Sequence, residues 1–221
     1  MTRNFDERLD ELKQHLLKMA AKAETMIRNS VQELVQRDPE LAKELPDLEE
    51  QVNRLQIEID DRAFKLLALQ QPMAHDLRFI IAAMKISSDL ERIADQAINI
   101  TENTRVLLQF PELKPLIDIP RMAEIAGEMV RDALDAFVEE DAAAARKVVL
   151  RDDRVDDLKD QIFRELLTYM ISDPKTIPVA MQLILVSRHL ERTADHATNI
   201  AEDVVYMVEA KDIRHHFEKE T

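Results

Sequence analysis

Apolar residues recur along this chain at steps of three and four, the spacing of one face of an α-helix. Leu77, Ile80, Ile81 and Met84 form one such run, and Ile177, Ala180, Met181 and Ile184 another. Met19, Met26, Met122 and Met129 stand at core spacing and read as packing residues rather than ligands. Prolines punctuate the pattern at Pro39, Pro46, Pro72, Pro111, Pro115, Pro120, Pro174 and Pro178. The spacing predicts a first helix from about Asn4, a plausible N-cap, to Arg37. Asp38-Pro39 restarts the chain, with Pro39 suited to a first helical position. The second helix is predicted to run to about Leu69, with Pro46 kinking it or splitting off its first turns. The third is predicted from about Met73 to Gln109. After the proline-rich linker Pro111–Pro120, three more helices are expected near Arg121–Glu139, Asp141–Met170 and Thr176–Ile213.

The two halves resemble each other. Shifting residues 19–55 by 103 places Met19, Ala23, Met26, Arg28, Asp38, Val52 and Leu55 on Met122, Ala126, Met129, Arg131, Asp141, Val155 and Leu158. Beyond Pro72 the offset becomes 100, and LERIADQAINI (90–100) matches LERTADHATNI (190–200) at eight of eleven positions. Identities that include Glu, Arg, Asp and Asn are hard to ascribe to chance between Ala/Leu-rich helices. The expected fold is all-α, two tandem three-helix bundles related by an internal repeat. The domains are expected at 1–110 and 111–221.

Composition narrows the function classes. One glycine, Gly127, cannot supply hairpins, a phosphate loop or a dinucleotide fingerprint. Without cysteine there is no disulfide framework, zinc ribbon, thiolate nucleophile or iron–sulfur cluster, which fits a reducing compartment. A formal net charge of −14 argues against a nucleic-acid surface. The longest uncharged stretch, Thr176–Ser187, is 12 residues, too short for a transmembrane segment. The polar start of the chain does not read as a signal peptide, so a cytoplasmic protein is expected.

The candidate chemistry lies where carboxylates interrupt apolar stripes. The stripe through Leu77–Met84 continues into Ser88, Glu91, Asp95, Asn99 and Glu102. The stripe through Ile177–Ile184 continues into Glu191, Asp195, Asn199 and Glu202. Asp152 and Asp156 share a face with Val148, Val149, Phe163 and Leu166, and their repeat partners are Glu49 and Asn53. Read this way, the acids lie on inward faces and need partners, since an isolated buried charge costs several kcal/mol. Arg92 and Arg192 are the obvious salt-bridge candidates. The alternative is a hard cation, Mg²⁺, Mn²⁺ or iron, held by oxygen ligands from several helices. The six histidines, His15, His75, His189, His196, His215 and His216, form no HxxxH pair, and no Glu-x-x-His marks a ferritin-like di-iron site. His196, beside Asp195, reads most simply as a polar rim residue. Ser87, Ser88 and Ser187 lie within helices, without an oxyanion loop or an adjacent base. A metal-dependent hydrolase or oxygenase on a helical bundle is the enzyme alternative.

The tandem LER-x-x-D-x-x-x-N-I motifs resemble the PhoU family of phosphate-signalling regulators. EEQVNRL (49–55), QPMAHDLR (71–78), DDRVDDL (152–158), TYMISDPKTIP (168–178) and EDVVYMVEAKDIRHH (202–216) extend the similarity over nearly the whole chain. The resemblance implies a cytoplasmic, non-enzymatic negative regulator of the phosphate-starvation response, placed at the inner membrane through its partners. Those partners would be the phosphate ABC transporter ATPase and a phosphate-sensing histidine kinase, and a homodimer is implied. Metal ions (Mg, Mn, Fe or Zn) held by carboxylates are the implied cofactors, in clusters on the bundle surface. The motif positions carry over to Glu91 and Asp95 in the first bundle and to Glu191 and Asp195 in the second. The facing motif carries over to Asp152 and Asp156, and in the first bundle to Glu49 and Asn53, where a neutral amide lowers the charge of the site.

Overall fold

The structure, a computed structural model, describes residues 2–214, with side chains over 5–214. The first half holds α1 (Thr2–Gln36), a 3₁₀ turn (Pro39–Ala42), α2 (Leu45–Gln70) and α3 (His75–Leu107). The second holds α4 (Asp118–Glu139), α5 (Ala142–Val149), α6 (Asp152–Ser172), a 3₁₀ turn (Pro174–Thr176) and α7 (Ile177–Glu209). No strand occurs among the described residues. The fold is all-α, two three-helix bundles in tandem. α1, α2 and α3 pack together, as do α4, α6 and α7, and α5 packs on α7. The bundles join side by side through α3 against α7 and α1 against α4.

Local chemistry explains the breaks. Asp38 accepts the Glu40 amide (3.0 Å), and its repeat partner Asp141 accepts the amides of Ala143 (2.8 Å) and Ala144 (2.9 Å). Both aspartates therefore cap a short helical element, which accounts for the identity at that position. The residues directly before the two capping aspartates follow the repeat too: Arg37 and Glu140 both adopt left-handed backbone, φ 55° and 56°. Such positions favour glycine, but the single glycine is elsewhere. Pro46 splits the second helix as expected, leaving a 3₁₀ turn ahead of α2.

Some boundaries differ from the periodicity. The helix expected over Asp141–Met170 is two helices, α5 and α6, broken at Leu150–Arg151. No proline marks this break, because Val149 stands where the first repeat has Pro46. Arg151 instead pairs with Asp132 and Glu128 of α4, so tertiary contacts hold the corner. α4 begins at Asp118 rather than Arg121, with Pro120 in the first turn, where its missing N–H is not needed. α7 ends at Glu209 rather than Ile213, stopped by left-handed Ala210. α1 begins at Thr2, and the side chain of Asn4 lies outside the described residues.

One hydrophobic cluster runs through both halves, from Leu12, Met19 and Met26 through Leu90 and Ile93 to Phe137 and Leu190. Phe79 of α3 stacks on Phe137 of α4 with ring centroids 5.0 Å apart. The α3/α7 contact also carries a polar ladder. Asn103 donates to Gln182 (2.7 Å), His189 to Gln96 (2.9 Å) and His196 to Asp89 (2.8 Å). Each rung steps back seven residues on α3 and forward seven on α7, so the helices run antiparallel in a fixed register. The repeat offset of 100 exchanges two of the three rungs, Gln96·His189 and Asp89·His196, so the pseudo-twofold axis passes between them.

A buried acid lies apart from the candidate site. Glu33 is 1% exposed, and its Oε2 has no hydrogen-bond partner among the described residues. Burial pushes its carboxyl upward, only partly offset by Thr101 and Arg105. An acid raised on folding contributes stability below its ordinary value, and that contribution is lost as pH rises through the raised value. Glu33→Gln is therefore expected to stabilise the fold at pH 7 by about 1 kcal/mol. Thermal melts at pH 7 and pH 4 check this: the gain should shrink at pH 4, and a variant less stable than the parent at pH 7 rejects it.

Candidate functional site

The acidic stripes do not face the core. On α3, Leu77 and Ile81 are exposed and Met84 is half-buried, while the inward row runs through Ile80, Ala83, Leu90 and Ala97. On α7, Ile177 and Met181 are exposed, as is Phe163 on α6. Helical period places residues on a common face but does not say whether that face meets the core or solvent. Glu91 and Asp95 are accordingly 22% and 34% exposed, and Glu191 is 24% exposed. Asp152 and Glu49 are half-buried, and Asp156 and Asp195 reach solvent. The acids form two surface seams: Glu49 of α2 with Glu91 and Asp95 of α3, and Asp152 and Asp156 of α6 with Glu191 and Asp195 of α7.

Within each seam like charges are felt across the helix pair. Asp195 is pushed up to about 6 by burial and then by Glu191, Asp152 and Asp156. It keeps some solvent contact, but the protein crowded around it withholds enough water to disfavour its charge. Burial and then Asp156 raise Asp152. In the first seam, burial and then Asp95 raise Glu91, and burial, Asp95 and Glu102 raise Glu49.

The counter-cations are mostly not the ones the sequence suggests. Lys159 donates to Asp156 Oδ1 (2.7 Å) and Glu191 Oε1 (3.0 Å), bridging the second seam, and the bond to Asp156 raises its pKa most. Its i, i+3 spacing from Asp156 was the available signal. Arg92 stands 3.6 Å from Glu91 and 3.8 Å from Asp95, beyond ordinary hydrogen-bond length. Arg192 has no carboxylate within ion-pair distance among the described residues. His196 binds Asp89, with Asn199 also donating to Asp89 at 3.3 Å, so it is a rung of the ladder. His15 and His75 meet Glu58 and Glu140 at the surface, and His215 and His216 lie outside the described residues.

The donor set fits a hard cation in kind: all carboxylate oxygen, mutually repelling, with an ammonium already seated between Asp156 and Glu191. As the side chains stand, no three His, Asp or Glu groups among the described residues converge on one point. A cation would therefore draw the carboxylates together by rotamer change and displace Lys159. Bound there, it would supply positive charge to offset theirs.

The register of the ladder places both seams at the same level, midway along the antiparallel α3/α7 pair. His196 acts electrostatically on Glu91 of one seam and Asp195 of the other. A family profile described as PhoU domain matches residues 16–104 and again 119–204, once in each half. The chain belongs to the PhoU family. It is 41% identical to the phosphate-specific transport system accessory protein PhoU homolog of Aquifex aeolicus, over 96% of each chain. It is 37% identical to the homolog of the same description from Pseudomonas putida, over 97% of this chain and 84% of that one. The crystal structure of PhoU from Pseudomonas aeruginosa superposes with a TM-score of 0.90 at 36% identity, covering 94% of this chain and all (100%) of that one. The phosphate transport system regulatory protein PhoU from Streptococcus pneumoniae superposes at 0.85 with 29% identity, over 94% and 98%. The PhoU matches thus span both seams, including Asn53, the one amide among the facing motif positions.

Proposed function

We propose that this protein is a regulatory accessory component of a phosphate transport system, linking the ABC transporter ATPase to a phosphate-sensing histidine kinase as a negative regulator. The observation that carries this reading is the likeness to PhoU accessory proteins across nearly the full chain of both partners. No helix among the described residues is long and apolar enough to cross a membrane, so contact with the transporter would come by docking to its cytoplasmic parts. Exposed apolar side chains at both hairpin ends suit such contacts: Phe163, Ile171 and Met181 at one, Phe64, Met73 and Ile81 at the other. The same surfaces would serve a homodimer. Affinity capture from cells grown at low and high phosphate tests the reading. Recovery of the transporter ATPase and the kinase is the expected result, and recovery of neither rejects it.

The seams are proposed as the cation sites, with Glu49, Glu91 and Asp95 in one and Asp152, Asp156, Glu191 and Asp195 in the other. Mg, Mn, Fe or Zn are the ions to test. Asn53 leaves the first seam one carboxylate short, so it should bind more weakly. In the full chain, Glu91→Ala/Asp95→Ala isolates the second seam and Glu191→Ala/Asp195→Ala the first. Calorimetric titration with Mn²⁺ should give the tighter constant for the former variant, and equal constants reject the ranking. The enzyme alternative predicts turnover of phosphate esters or O₂ that disappears in the Glu191→Ala/Asp195→Ala variant.

A further inference from the structure

Between the seams, along the α3/α7 contact, lies an open groove of about 700 Å³. Arg92 and Arg192 both line it, one from each half. They are repeat partners at the offset of 100, and they fall midway between the rungs Asp89·His196 and Gln96·His189. The pseudo-twofold axis therefore passes between two guanidinium groups. Their own partners are poor. Arg92 reaches Glu91 and Asp95 only at 3.6 and 3.8 Å and is 62% exposed, and Arg192 pairs with no carboxylate among the described residues. A third arginine on the groove, Arg214, is already held by Asp212 (2.8 Å). Two arginines with no carboxylate at hydrogen-bond distance among the described residues, facing one cavity from symmetric positions, suit a planar-fork clamp on a tetrahedral oxyanion.

Asp195 and Glu202 also line the groove, and by themselves they would repel an anion. A cation on the second seam offsets Asp195, and Glu202 is opposed electrostatically by Arg214. A divalent ion on Glu91 and Asp95 engages the two carboxylates that stand within ion-pair distance of Arg92 among the described residues, and one on Glu191 and Asp195 offsets the charge of Asp195 at the groove wall. We infer that the α3/α7 groove is a phosphate-class oxyanion site, clamped by Arg92 and Arg192 and competent only when the carboxylate seams carry cations. The inference rests on the cation reading above. By linkage, the anion must tighten cation binding by the same factor that the cation tightens the anion. The groove is roomy enough for inorganic phosphate or for a phosphate monoester such as a phosphorylated side chain.

Equilibrium dialysis of the full-length protein with inorganic phosphate, and in a second arm with phenyl phosphate, tests this with and without Mg²⁺. Cation uptake is measured separately by calorimetry in the absence of phosphate. The expected result is saturable phosphate uptake with Mg²⁺ and at least tenfold weaker uptake without it. Arg92→Ala/Arg192→Ala should weaken phosphate at least tenfold while leaving Mg²⁺ uptake intact, and Arg92→Lys/Arg192→Lys should retain part of the affinity. Thermal melts confirm that these exposed substitutions leave the fold intact. Tighter uptake in the phenyl phosphate arm assigns the site to an esterified phosphate, and tighter uptake in the other to the free ion. Mg²⁺ uptake without uptake of either anion overturns the oxyanion site alone. Absence of Mg²⁺ uptake overturns the cation reading and this inference together. Phosphate uptake that is indifferent to Mg²⁺ or to the double alanine variant also overturns it.

Discussion

Mn²⁺ or Mg²⁺ at about a hundred times its dissociation constant is expected to stabilise the protein at pH 7 by about 2.7 kcal/mol. For a chain of this size that is a rise in thermal midpoint of roughly 5–10 °C. The reason is the charge state of the seams. Asp195 titrates near 6 in the fold, held up by burial and by Glu191, Asp152 and Asp156, while Asp152, Glu91 and Glu49 are displaced in the same direction. Acids raised on folding stabilise the native state below their ordinary values, near 4, and that contribution is lost as pH rises through the folded values. The metal-free protein should therefore gain stability as pH falls from 7 through 6 toward 4. Proton and cation relieve the same repulsion and compete for the same oxygens, so the cation-induced shift should shrink by pH 5. Glu191→Ala/Asp195→Ala should lose most of the shift without lowering the metal-free midpoint, since both side chains reach solvent. An equal cation-induced shift in parent and variant would falsify the seam assignment.

Phe137→Ala should be the most damaging single change, costing about 3–5 kcal/mol. Phe137 is fully buried, and its ring stacks on Phe79, 5.0 Å away at an interplanar angle of 22°. Truncation removes the ring contact, worth about 0.5–1.5 kcal/mol beyond burial, and leaves a cavity between α3 and α4. The two rings come from different halves, and the hydrophobic cluster is continuous through both. The melt should consequently move as one transition by roughly 6–20 °C. Denaturant and thermal melts followed by circular dichroism check this. A split transition, in which one half melts at its original midpoint, would show that the bundles unfold independently.

Particular residues show where sequence reasoning reached and where it stopped. The Asp38/Asp141 identity announced a repeated helix start, and a cap is local chemistry between a side chain and amides two or three residues away. The break at Leu150–Arg151 was invisible, because it depends on Arg151 meeting Asp132 and Glu128 on another helix. The carboxylate positions were legible from the paired motifs, but helical period by itself did not show their exposure. A wide apolar row on α3 allows two inward orientations, and Leu77 and Ile81 favoured the wrong one. Lys159 as the seam's cation also needed the structure, since its second partner, Glu191, lies 32 residues away on α7.

The sequence by itself determined the helical class, most of the helix boundaries to within a few residues, the duplication, and which acids pair at helical spacing within each repeat. These follow from short-range geometry, from 3.6-residue periodicity and from the backbone limits of proline. The tertiary structure alone decided how the two repeats meet. Burial of the α3 and α7 apolar rows against each other, with the rungs Asn103·Gln182, Gln96·His189 and Asp89·His196 setting an antiparallel register, brings the seams to one level and Arg92 beside Arg192. That register comes from pairing side chains 79 to 107 residues apart in the chain, which no local pattern encodes.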